Sequence, residues 1–169
     1  MVKMAFHDAY KNSDPFHIKE TGDLMTEYKI AGAPTIMYSM NKNTISSDRT
    51  VSKMKTAQVE ELAAHPATCG IKASVSRNGD NVNVEATLKS SKGGKYELVY
   101  AFLMDNLTWN DSASLEDVYN YTVRAISPNY MKFTDTAFTL GAGETYDGNY
   151  AFEVDSTIKS ADCHVVVYA

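Results

Sequence analysis

At 169 residues, with 44% apolar and 22% charged side chains, the chain has the composition of a folded globular protein, either one ordinary domain or two small ones. Sixteen basic and 21 acidic side chains give a net charge of 16 − 21 = −5, and residues 1–66 balance eight bases against eight acids, so the whole acidic surplus lies beyond Pro66. No basic stripe is present to neutralise a run of phosphates, which argues against nucleic-acid binding, and the longest apolar run, Leu98 to Met104, is far too short to cross a bilayer. No charged segment followed by an apolar one opens the sequence, so the compartment has to be argued from elsewhere.

In chain order, Val2 to Phe6 is a short apolar run read as a buried strand, followed by the turn-rich Lys11-Asn12-Ser13-Asp14-Pro15. Asp14 as N-cap and Pro15 at the first helical position predict a helix that gathers Phe16, Ile18, Leu24, Met25 and Tyr28 on one face, with a break near Gly22. The small-residue turn Ala31-Gly32-Ala33-Pro34 delivers a strand at residues 35–40, Asn41-Lys42-Asn43 turns it, and a second strand covers residues 44–47. A second helix is predicted with Thr56 as N-cap, acids in its first turns, and Val59, Leu62 and Ala63 facing inward; His65-Pro66 ends it.

From Cys69 the period changes from helical to alternating. Ile71, Ala73 and Val75 share one face, Asn78-Gly79 predicts a type I′ hairpin turn, and Val82, Val84, Ala86 and Leu88 return on the partner strand. Residues 96–104 are apolar on both faces after their start and predict a central strand. Further strands are predicted at residues 119–126, 133–140, 150–154 and 163–168, a spacing that points to a β-sandwich. The boundary between the two segments falls between residues 66 and 67.

Two cysteines, Cys69 and Cys163, sit near the two ends of the second segment and belong to no Cys-x-x-Cys pair or zinc pattern. In an oxidising compartment a bridge between them would close a loop of about 95 residues, worth roughly 4–5 kcal/mol in the chain-entropy model. The alternative is two buried reduced thiols.

The order strand, helix, Gly32-Ala33-Pro34-Thr35-Ile36, strand, turn, strand, helix resembles the second half of a thioredoxin-like fold, with Pro34 at the position of its cis-proline loop. The second segment resembles the carboxy-terminal domain of the outer membrane protein 28-related family. The residues that carry this likeness are Leu98 to Asp105, Leu115-Glu116-Asp117-Val118 and Tyr119 to Arg124, with Asn120 and Tyr121 where that family often shows histidines.

The resemblance implies an α+β chain: a partial thioredoxin-like segment at residues 1–66 and an Ig-like β-sandwich at residues 67–169. It also implies export to the periplasm, outer membrane surface or medium. The central redox strand of a thioredoxin sheet has no counterpart here, and the expectation is a truncated natural product. The gap in that sheet would be met by re-paired strands, by lost upstream sequence, or by a homo-oligomer that completes the partial sheet.

Chemistry-bearing residues are few. Ala33, Pro34 and Thr35 offer a peptide-binding loop by strand addition, against the alternative of a conformational lock. His7 beside Asp8, with His17 nearby, has no nucleophile at a recognisable spacing, and His65 and His164 are isolated, so neither a catalytic set nor a metal site is expected. Trp109, in a polar loop, is either a sugar or protein contact or a cap over one end of the core. Asn106, Asn110 and Asn120 fit the N-glycosylation pattern, and residues 111–113, 135–137 and 155–157 resemble bacterial O-glycosylation acceptors. No cofactor is expected. The leading expectation is a non-catalytic structural or protein-binding module of an exported cell-envelope protein, with another protein or envelope component as partner. The alternatives are the distal part of a thiol-disulfide oxidoreductase and a carbohydrate-binding module.

Overall fold

The computed structural model describes residues 3–8, 14–32, 35–40, 42–47, 50–109, 118–131, 133–155 and 157–169. It is a mixed α+β chain with helices and antiparallel sheets that divides into two compact units, Met1–Ile18 with Cys69–Ala169, and Lys19–Thr68. The first eighteen residues therefore group with the β-rich unit. The reason is a pairing that local pattern does not reveal: Ala5 N–H donates to Tyr121 O at 2.8 Å, and Val123 N–H donates to Ala5 O at 2.9 Å, a parallel bridge between Ala5 and Thr122.

The unit Lys19–Thr68 holds α1 (Lys19–Glu27) and α2 (Val51–Ala64). Between them, the expected pair of strands is reduced to one antiparallel bridge, Ile36 with Ser46, and no thioredoxin-like sheet is formed among the described residues. Helix α1 runs through Gly22 without a break and buries Thr21 and Leu24. Asp14 caps a turn rather than this helix, its Oδ1 accepting from Phe16 N–H at 2.8 Å. Helix α2 begins after Thr50, six residues before the expected cap at Thr56. Its expected inner face is turned out: Val59 is 66% and Leu62 59% exposed, whereas Glu61 is buried. The acid and alanine positions around Leu62 gave no clear helical stripe to read.

In the β-rich unit, β1 (Cys69–Asn78), β2 (Asn81–Ser90) and β7 (Thr145–Glu153) form one antiparallel sheet in the order β1-β2-β7. The β1–β2 hairpin was legible, but its two loop residues are Gly79 and Asp80, one place later than the Asn-Gly reading. Gly79 has φ 60° and stands at the first central position, where a type II′ turn takes glycine. A second sheet has the order β5-β4-β8, from β4 (Val99–Met104), β5 (Thr122–Ile126) and β8 (Cys163–Tyr168). The short strands β3 (Gly94–Tyr96) and β6 (Phe138–Leu140) pair with each other.

Alternation along β2 puts Val82, Val84, Ala86 and Leu88 into the core, where they meet Tyr100 and Phe102 of β4 and Phe152 of β7. Tyr100 stacks on Tyr150 with centroids 5.5 Å apart, and Phe102 packs on Phe152 at 5.8 Å. β4 is buried along nearly its whole length, as its two-sided apolar pattern requires. Gly148 makes the close approach possible, because a Cβ there would lie 2.7 Å from the Tyr100 hydroxyl and 2.8 Å from Leu98 Cδ1. Gly148→Ala is expected to lower stability by about 1–3 kcal/mol through overpacking. Urea titration checks this; an unchanged midpoint would show that Tyr100 is free to withdraw.

Candidate functional site

The richest polar cluster lies where β4 ends. The last residues of β4 pair with the first of β8, Leu103 opposite His164 and Met104 opposite Cys163. Asp105 follows directly, so its carboxylate stands beside His164. Nε2 of His164 donates to Asp105 Oδ2 at 2.5 Å, and Tyr121 N–H donates to Oδ1 at 2.6 Å. Asn106 Nδ2 donates to Asp162 Oδ1 at 2.7 Å, and Asn106 N–H to Asn120 Oδ1 at 3.1 Å. Asn106 and Tyr121 have φ of 56° and 57°, an uncommon region for side-chain-bearing residues, and both belong to this network. The Tyr121 ring stacks over His164 at 6.0 Å, and the Lys3 ammonium lies 5.9 Å from its centroid. Burial pushes the Asp105 carboxyl up, but bonds from Tyr121 N–H and His164 outweigh it and hold the group below its usual range.

This is an acid–imidazole pair with its ring oriented, and no nucleophile among the described residues completes it. Cys163 is adjacent in sequence, but its thiol donates to Lys159 O at 3.2 Å, and burial pushes it toward the protonated form. The pair serves as a joint that ties the ends of β4 and β8 to the approach to β5.

A second joint holds the N-terminal segment. His7 Nδ1 donates to Asp14 Oδ2 at 2.8 Å; the orienting acid is Asp14 rather than the neighbouring Asp8. His7 sits edge-on to Phe16 and Tyr119, at 5.5 and 5.1 Å, and His17 Nδ1 donates to His7 O at 3.3 Å. Arg124 covers Phe16 from β5, at a β4–β5 register shift that re-aims that strand.

A third joint is Glu97, 5% exposed, just before β4. Thr134 N–H donates to its Oε2 at 2.9 Å, and the Thr134 and Thr136 hydroxyls donate to Oε1. Burial raises the carboxyl pKa, but those bonds and one from Asn129 outweigh it and leave the group below the usual carboxylate range. The loop over β4 continues the network, with Asn129 Nδ2 donating to Leu98 O at 2.9 Å and the Ser127 hydroxyl accepting from Tyr100 N–H at 3.0 Å.

The outward face of the sheet β1-β2-β7 carries a shallow depression of about 340 Å³. Lys72, Thr87 and Asp147 form one cross-strand row along it, Ser74, Glu85 and Asn149 the other, and Thr87 Oγ1 donates to Asp147 Oδ1 at 2.6 Å.

Of the residues singled out in sequence, Ala33 and Pro34 lie outside the described residues, and Thr35 donates its hydroxyl to Gly32 O at 2.6 Å. Trp109 is half-buried, two residues past the bridge between Leu107 and Tyr119. The bridge between Cys69 and Cys163 is not made; both are free thiols. Cys163 is near enough to Arg77, toward the far end of β1 from Cys69, for that charge to act on its thiol. His65 Nδ1 lies 3.2 Å from Glu61 Oε1, and no group of three metal-ligating side chains is found among the described residues. Among the glycosylation candidates, Asn110, residues 111–113 and Ser156 lie outside the described residues, while Asn106, Asn120 and Thr136 are engaged in the networks above.

Two functional groups escaped the sequence reading. Asp105 and His164 are 59 residues apart and become neighbours only through the β4–β8 register. Glu97 left a signal, a single acid inside the apolar stretch from Tyr96 to Met104, where only a fully bonded carboxylate is tolerated. A comparison with protein-family models, with curated proteins and with solved structures finds no match to this chain.

The folded-state pKa of Glu97 lies below its unfolded value of about 4.3, so its stabilisation is fully present above pH 4.3 and is lost as pH falls through the folded pKa. Glu97→Gln is expected to cost about 2–3 kcal/mol at pH 7 and less below pH 4. Urea midpoints measured from pH 7 to pH 3 check this; a deficit that does not shrink with acid would place the loss in packing rather than charge.

Proposed function

We propose that this chain is a non-catalytic structural or protein-binding module of an exported bacterial cell-envelope protein, its β-rich unit an Ig-like sandwich of the outer membrane protein 28-related kind. One contrast carries the reading. The polar clusters at Asp105, His7 and Glu97 spend their hydrogen bonds on the chain's own segments. Val59, Leu62, Val75 and Phe133, by contrast, stand 66%, 59%, 54% and 55% exposed. Of these, Val59 and Leu62 stand one turn apart on α2 as an exposed apolar pair, which suits contact with another macromolecule better than chemistry on a small substrate. No helix among the described residues is long and apolar enough to cross a membrane. The purified chain is expected to leave insulin disulfides intact at the background rate, and the natural product to fractionate with periplasm, outer membrane or medium. Reductase activity would favour the distal-oxidoreductase alternative, and recovery in the cytosol would sink the envelope assignment.

The depression on the sheet β1-β2-β7 supports a second reading, a carbohydrate-binding module. Its mixed donors and acceptors suit the hydroxyl array of a neutral sugar, and Trp109 is not among its lining residues. On a glycan array, any retained sugar is expected to be lost with Asp147→Ala and kept with Trp109→Ala. An array with no retained glycan removes this reading.

A further inference from the structure

β1 ends at Asn78, and Gly79 is the first of the two loop residues that lead into β2. Asn78, Gly79 and Asp80 are all exposed. A Cβ placed on Gly79 would meet nothing within 4 Å, and Gly79 N–H makes no backbone hydrogen bond among the described residues. Asn78 is also the last rung of the β1–β2 ladder, and end rungs open most readily. A side-chain carboxamide therefore precedes a backbone nitrogen that is uncrowded and unbonded.

The other asparagines of the hairpin are held differently. Asn81 and Asn83 precede Val82 and Val84, which lie inside β2, a strand paired with β1 on one side and β7 on the other. A β-branched residue in a doubly paired strand cannot turn its amide toward the preceding side chain without breaking the sheet. Glycine in a loop carries no such restriction.

We propose that Asn78 is a self-modification site, at which the chain converts this asparagine to aspartyl and isoaspartyl forms with water as co-reactant. Gly79 N attacks Cγ of Asn78 and closes a five-membered succinimide. The Cγ–Nδ2 bond breaks, and ammonia leaves with the proton lost from Gly79 N. Water then adds to one of the two ring carbonyls. Opening at Cγ leaves aspartate on the original backbone, and opening at the main-chain carbonyl leaves isoaspartate, whose backbone is one carbon longer. The balance is asparagine and water to acid and ammonia, with no electron transferred.

The position matters because the hairpin tip is a fastening point. Arg77 Nε donates to Gly79 O at 3.1 Å, while its Nη1 and Nη2 donate to Ile158 O at 2.6 Å and Asp155 O at 2.9 Å. Val154 N–H donates to Asp80 O at 2.7 Å. These bonds tie the chain leaving β7 to the hairpin. The aspartyl product keeps the backbone and so keeps the ties. The isoaspartyl product lengthens the chain between Arg77 and Gly79, displaces the Gly79 and Asp80 carbonyls, and loosens them. Both products carry the same added charge, so their difference isolates the backbone.

Incubation of the intact chain at mildly alkaline pH, followed by peptide mapping that separates the two acids, tests the site. Asn78 is expected to lose its amide about tenfold faster than Asn81 and Asn83, with isoaspartate among the products. Asn78→Gln is expected to stay unmodified, because its longer side chain closes only a less favourable six-membered ring. Hydrogen exchange on the purified isoaspartyl form reads the consequence. The amides of Val154, Asp155 and Ile158 are expected to exchange about tenfold faster than in the parent, and at the parent rate in freshly prepared Asn78→Asp. An Asn78 amide that lasts as long as those of Asn81 and Asn83 overturns the site. Parent-rate exchange in the isoaspartyl form, or equally fast exchange in Asn78→Asp, overturns its coupling to the chain beyond β7.

Discussion

The packing of β4 against β2 and β7 is the contact on which the β-rich unit depends. Tyr100 and Phe102 meet Tyr150 and Phe152 over a floor of Val84 and Leu88, the last two with no exposed surface. Each such side chain contributes on the order of 1.5–3 kcal/mol when fully buried. The approach is close enough that a Cβ at Gly148, opposite Tyr100, would force the Tyr100 hydroxyl or Leu98 to shift. With β4 fixed, its two neighbours follow, because β5 and β8 take their ladder register from its two edges.

The same strand also organises the polar chemistry. Glu97 lies just before β4 and Asp105 just after it, so a carboxylate stands at each end of the most buried strand. Both oxygens of each accept from segments remote in sequence: residues 134 and 136 at one end, residues 121 and 164 at the other. An acid near a core is tolerable only when its acceptor capacity is filled, and here filling it is what ties the loops down. The His7–Asp14 pair closes the N-terminal segment on itself, and the contacts of His7 and Phe16 with Tyr119 and Arg124 add to its bridge to β5. These clusters have the residue types of active sites and the connectivity of fasteners.

The β-rich unit was largely legible in the sequence, and the first segment was not, for one physical reason. Alternation in β2 and the unbroken apolar run of β4 report burial directly, since a strand's side chains have only two faces to choose between. β8 was read with its full extent. β7 was placed late, at residues 150–154, because its first half, Thr145 to Asn149, carries outward polar residues and a glycine. Residues 2–6 read as a strand, but pattern says nothing about partners, and Ala5 pairs with Thr122 rather than with the expected neighbour at residues 35–40. In α2 the weak amphipathic signal allowed Val59 and Leu62 to be assigned to the wrong side. Side-chain partners such as Asp105 with His164, 59 residues apart, or His7 with Asp14, seven apart, depend on register and turn geometry that a linear pattern does not contain.

The exposed apolar groups are not equivalent as contact surfaces. On α2, Val59 and Leu62 are one helical turn apart and offer area without direction; any apolar surface of similar curvature satisfies them. On β8, apolar side chains are combined with a row of backbone donors and acceptors, which accept a partner only as an extended strand and only in registers that match faces. Area adds affinity, but a backbone ladder adds selection among partners.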